Sequence, residues 1–526
     1  MAINLKEFSL FKRFVKFLIK IAPILFITVM CFLVISSLRL KSFTIDEGNY
    51  LDSGEILAKS LNWDHYVTRF HPPLTFYYHG LLTLFDVIKS GGNKLYYARL
   101  MMVPILIIFS LLIYFTAKKN YGRNAGLLAM FLFCFDPNIL AHGRLIATDV
   151  TLAMFIFLFL ILFFSFLKTK EMIFRKAYLT GVVLGLALLT KYNALMLFPL
   201  SFFFFCTYFL IQIVKKQKLE FLKKALSLFL IYLLAILIVN LGYGFKSSFN
   251  LPDNFKTEIF QNLASYKIAS KLITVFPGIY LTGTDYQMFE SQREFYWMFF
   301  WGQRFSQGPW YFFPVSFLIK VPIPALILLF LFFIFLIRKR IKRTFFEFYF
   351  SFSCLFFFLY FTFFNKLITG FRYILMIFPI LYVLISQIVN IKIESKKKNN
   401  VFKILLTILL FWYIWGALKI HPHYLAYVNE FVGGPKNAYK YYADSNLDWG
   451  QNWILLNQFK EKNTEEIIDD PKRPTQGKII VSVNSLNLFN FEKYEWLRKL
   501  EKEPIGNIGY TWLIFEVTNE DIQKLK

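Results

Sequence analysis

The sequence predicts a polytopic α-helical membrane protein of about eleven transmembrane helices, with a small extracytoplasmic α/β domain at its C-terminal end. Three observations carry that prediction. The 526 residues are 57% hydrophobic and 20% aromatic, with 67 phenylalanines, far more apolar surface than a soluble core needs. The apolar runs recur at lengths suited to a bilayer, which takes roughly 20 residues per helix. Short basic clusters separate them, alternating along the chain with loops that carry acids and histidines.

Each element follows from that alternation. Ile21–Leu40 carries no small-residue cleavage pattern and reads as a retained span. Further spans are expected at about 99–117, 125–140, 148–167, 177–190, 194–214, 225–243, 311–337, 345–364, 371–390 and 402–420. With the N-terminus in the cytoplasm, the clusters Lys6–Lys20, Lys118–Arg123, Lys168–Lys176, Lys215–Lys224, Arg338–Arg343 and Lys392–Lys398 then share one side. Pro72–Phe85 is short and opens with Pro-Pro. As a span it would turn every later basic loop outward, so it is placed as an interfacial helix on the outer surface.

The domain division that results is 1–420 for the membrane part, with outer loops 41–98 and 244–310, and 421–526 outside the membrane. That tail has strand-like KIIVSVNSL and YTWLIFEV and a helix-like WILLNQFKEK. The excess of basic residues suits a bacterial plasma (inner) membrane. The net charge of +26 works as a topology signal, and no basic face interleaved with exposed aromatics argues for nucleic acid. Cys31, Cys134, Cys206 and Cys354 all fall inside apolar runs and read as buried structural thiols. Gly181 and Gly185 form a GxxxG that reads as close helix packing.

The chemistry gathers on the predicted outer face. Asp46 and Glu47 follow the first span, and neighbours in sequence point different ways, so only one is expected to face a reacting group. One reading is a general base for an acceptor hydroxyl; the other is an N-capping pair for the segment that follows. Arg69 and His71 precede Pro-Pro and suit a phosphate, or else anchor the interfacial helix. Asp149 opens a span, where the helix dipole alone would accommodate it. Lys191 is the only charge in a short turn, and Arg372 opens a later span. Interfacial anchoring explains any one of these cations, but the set together suits an anionic lipid headgroup.

Two motifs read as structural. DSNLDWG (Asp444–Gly450) resembles a calcium loop, but its Gly falls one place late and Leu455 stands where the bidentate Glu belongs. It reads as a turn that leaves Trp449 available to stack on a sugar ring. His421-Pro-His423 reads as loop histidines, with no matching acid or cysteine nearby. The outer acids offer oxygen ligands to a divalent cation, but no ligand spacing demands one, and no other cofactor is implied.

Five pieces in order, IDEGNYLDSGEIL, HPPLTFYYHGLL, ATDVTLAMFIFL, GLALLTKYNAL and FRYILMIFP, resemble the polyprenol-phosphate-dependent membrane glycosyltransferases. These are the relatives of protein O-mannosyltransferases and of aminoarabinose transferases, with a C-type glycosyltransferase fold. The tail is similar to that of bacterial members with no assigned acceptor. The resemblance implies transfer of a sugar from a polyprenyl-phosphate donor to a protein, lipid or glycan acceptor on the non-cytoplasmic face, with inversion. It implies that the acid pair supplies the base, Asp46 foremost, and that Asp149 is a second acid lining the site. Lys191 and Arg372 would hold the lipid phosphate, with Tyr373 beside them. Aminoarabinose transferases carry a Lys before Pro-Pro where this chain has His71, so the phosphate role passes to His71 or Arg69. A transporter or lipid flippase is the alternative, but it needs polar groups near mid-membrane, where this chain carries Phe, Leu and Ile.

Overall fold

The computed structural model describes residues 5–63, 70–84, 91–215, 221–292, 297–366, 370–463, 467–471 and 473–525. Eight of its helices are long and apolar enough to cross a membrane, among them Thr148–Lys168 and Lys396–Ile420. Two bent pairs raise the number to ten if each is one span. The chain is an integral membrane protein, but the count among the described residues falls short of the eleven expected.

Local chemistry explains the shortfall. The expected span 177–190 is the helix Ile173–Leu188, only 16 residues long. The expected span 125–140 is broken: Arg123–Cys134 and Pro137–Gly143 meet at 60°. At the break Asp136 caps the second piece, accepting from the Asn138 and Ile139 amides at 2.6 and 3.2 Å, and Pro137 supplies the first helical residue. The expected span 311–337 bends by 110° between Phe312–Lys320 and Ile323–Ile337, where Pro322 lacks the amide needed to continue the helix.

Close packing follows small residues. A Cβ on Gly181 would come within 2.9 Å of the Leu234 side chain, and one on Gly185 within 2.6 Å of Ile238. The GxxxG therefore seats Ile173–Leu188 against Phe221–Gly242, as expected. The helix Leu74–Leu84, 11 residues long and too short to span, packs on Ile45–Ser60, where a Cβ on Gly80 would meet the Gly54 carbonyl at 2.5 Å. The thiols depart from expectation in part. Cys134 and Cys354 are buried, whereas Cys31 is half-buried and Cys206 is exposed on its helix.

Between the membrane helices, the long loop forms a hairpin of β1 (Met298–Phe300) and β2 (Gln303–Phe305). The C-terminal part builds a four-stranded sheet from β3 (Ile467–Asp469), β4 (Gly477–Ser482), β5 (Gly506–Ile508) and β6 (Trp512–Val517). Their order is β3-β4-β6-β5, parallel between β3 and β4 and antiparallel elsewhere. The run YTWLIFEV and the helix Trp453–Lys462 lie where the sequence put them, whereas KIIVSVNSL is strand only as far as Ser482 and turns helical from Val483.

The first part of the tail is not sheet. Residues 424–449 run as short 3₁₀ turns whose buried side chains, Tyr424, Leu447 and Trp449 among them, share one core with the membrane helices. Lys320 fastens this strap: its Nζ donates to the carbonyls of Leu425 (3.2 Å), Tyr427 (3.4 Å) and Asn446 (2.7 Å). Lys41 does the same from the first loop, donating to His423 Nδ1 (2.6 Å) and Asn452 Oδ1 (2.5 Å). His423 therefore serves the join between loop and tail, while His421 meets Ser36 of the first span and Tyr424.

Candidate active site

Asp46 and Glu47 lie in the first turn of the helix Ile45–Ser60, and their fates diverge at once. Glu47 completes a capping box, accepting from the Thr44 amide at 2.9 Å and its hydroxyl at 3.1 Å. Arg99 donates to it from Nε (2.8 Å) and Nη2 (2.5 Å), and the Ile146 amide adds a bond of 3.1 Å. Arg99 is itself saturated, with further bonds to the carbonyls of Leu38, Lys41 and Ser42. Burial pushes the Glu47 carboxyl up, but the Arg99 charge and these donors outweigh it and hold the group below its ordinary range. Glu47 has no acceptor capacity left to spend on an incoming hydroxyl.

Asp46 points the other way. Its side chain is 35% exposed, and Oδ2 lies 3.4 Å from Arg372 Nη1. The helix start is pinned to the tail strap: the Ile45 amide donates to the Trp449 carbonyl (3.0 Å) and the Ser42 amide to that of Gln451 (2.9 Å). The strap thus sets where Asp46 stands.

Asp149 is the hub. It opens the helix Thr148–Lys168, where the helix dipole favours an acid. Its Oδ1 accepts from Lys191 Nζ at 2.7 Å, and its Oδ2 lies 3.7 Å from Arg372 Nη1. Lys191 leaves the end of Ile173–Leu188 in an extended conformation, and its Nζ sits 4.6 Å from the Tyr373 ring centre. Asp46, Asp149, Lys191, Arg372 and Tyr373, predicted from four separate segments, therefore meet at one end of the bundle.

His71 joins them. The Leu74 amide donates to the Leu189 carbonyl at 2.9 Å, which draws the Pro-Pro segment onto the Lys191 turn. The imidazole packs on Tyr50 with ring centres 5.4 Å apart. Burial, and next the Lys191 charge, lower its pKa to about 3, so the ring is neutral near pH 7. Its buried Nδ1 has no hydrogen-bond partner among the described residues, and neither has Arg372 Nε. Arg69 lies outside the described residues.

The strap contributes what the sequence reading missed. Trp449 is buried with the Arg372 guanidinium 4.2 Å from its ring centre, so the face expected for a sugar is taken by the cation. Asn446 Oδ1 accepts from the Phe371 amide at 2.8 Å, fixing the residue before Arg372. Tyr50 is a second omission, although it lies one turn beyond Asp46 on the same helix face. Burial raises Asp444 to about 6 and Asp448 to about 7 in this strap. Asp448 Oδ1 accepts the Gly450 amide at 3.2 Å, a turn bond, in line with the structural reading of the motif. Among the described residues no group of three or more His, Cys, Asp or Glu side chains is arranged to hold a metal ion.

The helical membrane bundle, with acids and cations converging at one end and a small sheet appended, shares its fold with two solved structures. The crystal structure of ArnT from Cupriavidus metallidurans bound to undecaprenyl phosphate superimposes with a TM-score of 0.51 at 14% identity, over 76% of this chain and 70% of that one. The Archaeoglobus fulgidus oligosaccharyltransferase tethered with an acceptor peptide gives 0.50 at 10% identity, over 86% of this chain and 58% of the other. At such identities the likeness is one of fold. In sequence, residues 70–243 match the family described as dolichyl-phosphate-mannose-protein mannosyltransferase. No curated protein sequence matches the chain.

Proposed function

We propose that the chain is a glycosyltransferase that moves a sugar from a polyprenyl-phosphate donor to an acceptor hydroxyl on the non-cytoplasmic face, with inversion. The observation that carries this reading is the convergence of Asp46, Asp149, Lys191 and Arg372 within ion-pair distances of 2.7 to 3.7 Å. The matched family is described by a polyprenyl-phosphate sugar donor, the similar ArnT structure holds undecaprenyl phosphate and the similar oligosaccharyltransferase an acceptor peptide, and nothing in the comparisons favours a transporter or flippase.

In the reaction, the acceptor oxygen attacks the anomeric carbon while the bond from that carbon to the phosphate oxygen breaks. Asp46, the most accessible acid of the set, takes the acceptor proton. The bonding pair leaves with the polyprenyl phosphate, whose charge grows as it departs. Arg372 and Lys191 stabilise that charge, which lowers the barrier because they are already fixed and partly dehydrated. Arg372 brings an unspent Nε–H and His71 an unspent ring nitrogen, so a phosphate gains donors without dismantling the Asp149 pair. Asp149 keeps the two cations apart and oriented. The site orders base and cations on facing elements, and that positioning favours in-line displacement.

Membranes carrying wild type should pass radiolabel from a polyprenyl-phosphate sugar to an acceptor, while Asp46→Asn inserts normally and transfers about 10²- to 10⁴-fold less. Transfer by Asp46→Asn at the wild-type rate would remove Asp46 from the role of base. Lipid movement in proteoliposomes without any sugar transfer would replace the whole reading by a flippase.

A further inference from the structure

We propose that the end of the bundle opposite the candidate site holds a binding site for an anionic phospholipid of that leaflet. A cavity of about 600 Å³ opens there between the helices Met102–Tyr121, Thr148–Lys168 and Ile173–Leu188. Its place relative to the candidate site follows from one helix. Asp149 and Lys168 stand at the two ends of the 21-residue helix Thr148–Lys168. At a rise of 1.5 Å per residue they are roughly 30 Å apart, about the thickness of the hydrocarbon layer. The cavity therefore sits at the other membrane surface.

Its chemistry divides as a lipid does. Lys119, Lys168 and Lys176 contribute three cations from three helices, and no acid is among the lining residues. None of the three is in an ion pair among the described residues. Lys168 Nζ rests 4.6 Å from the Phe164 ring centre, and Lys176 Nζ reaches only the Ser165 carbonyl at 3.5 Å. Asn120, Ser165 and Thr169 add polar groups on the same rim. Below the rim the walls are apolar: Leu112, Phe115, Ile161, Leu162, Phe164 and Phe346. Phe115 is 56% exposed, which a soluble surface would not favour but an acyl chain would cover.

A phosphate headgroup on the lysines with a chain along this wall satisfies both halves at once. A soluble anion would leave the wall uncovered, and a zwitterionic lipid would set its own cation among three others. Basic residues near an anionic leaflet each strengthen attraction by roughly fivefold. The site is independent of the sugar-transfer reading, since it shares no residue with that site.

The test is native mass spectrometry of the full chain, released from micelles loaded with equal phosphatidylglycerol and phosphatidylcholine. Wild type should retain phosphatidylglycerol at least about tenfold over phosphatidylcholine, given three lysines. Lys119→Gln/Lys168→Gln/Lys176→Gln should lose that preference, while the same three changed to Arg keep it. Arg338→Gln/Lys339→Gln, changes in a different basic cluster, should leave it intact. The proposal fails if the triple Gln protein retains phosphatidylglycerol like wild type, or if the Arg338/Lys339 control loses it equally. It also fails if inorganic phosphate is retained in place of any lipid.

Discussion

Two carboxylates one residue apart, Asp46 and Glu47, occupy opposite kinds of environment. On the Glu47 side every donor and acceptor is used. The carboxylate is 1% exposed, Arg99 is wholly buried against it, and the pair closes a helix cap, the last carbonyl of the first helix and two loop carbonyls into one network. On the Asp46 side the network is left open. A 35% exposed acid faces a cation at 3.4 Å, and that cation keeps a buried, unpartnered N–H. A finished network builds rigidity; an unfinished one next to it can accept a substrate, because the scaffold that holds it does not depend on it.

That contrast breaks most visibly at Asp46. Asp46→Asn should cut transfer by about 10²- to 10⁴-fold, the range for loss of a general base, with no change in melting temperature. Glu47→Ala should do the reverse. Leaving Arg99 buried without its partner should cost about 3–5 kcal/mol of stability. Thermal unfolding of the purified protein would register that loss, while transfer per folded molecule stays within a few-fold of wild type. If Glu47→Ala instead folds normally and loses transfer, the two acids have been assigned the wrong way round.

Arg372→Ala should lower transfer by about 10²- to 10³-fold, as removal of a fixed donor to a developing charge does. Arg372→Lys should recover little, since a Lys cannot both stack on Trp449 and present two donors. Smaller again, Trp449→Ala removes a cation–π contact of about 0.5–2 kcal/mol. It should weaken donor use a few-fold, read as a rise in KM for the lipid-linked sugar.

A separate effect is on the pH dependence of stability. Burial raises Asp448 to about 7, well above its value of 3.8 when unfolded. The folded chain then holds a proton that the unfolded chain releases, so stability falls as pH rises from about 4 to 7. Asp448→Asn should flatten that dependence in melts at pH 4.5 and 7.5. A slope unchanged by Asp448→Asn would assign it to another group.

Much of this was legible in the sequence because membranes impose simple rules. Charge alternation located the helices, and charges flanking hydrocarbon named Asp46, Asp149, Lys191 and Arg372. Pattern could not show bends. Asp136-Pro137 and Val321-Pro322 break apolar runs that read as continuous, so two expected spans are bent pairs. Nor could it pair Glu47 with Arg99, which a helical reading treats as an ordinary snorkelling cation. Residues 444–449 read as a turn, and their local bonds are those of a turn. Their contact with Arg372 is long-range, and no periodicity records which tail residue folds back to which span.

The most direct test of the central claim separates proton removal from displacement. In proteoliposomes with a polyprenyl-phosphate sugar, Asp46→Asn is offered either a hydroxyl acceptor or azide, a nucleophile with no proton to lose. The expected result is at most residual transfer to the hydroxyl but formation of the glycosyl azide with inverted configuration, since Lys191 and Arg372 still hold the departing phosphate. Wild-type transfer to the hydroxyl by Asp46→Asn, or no glycosyl azide from it, would contradict the account.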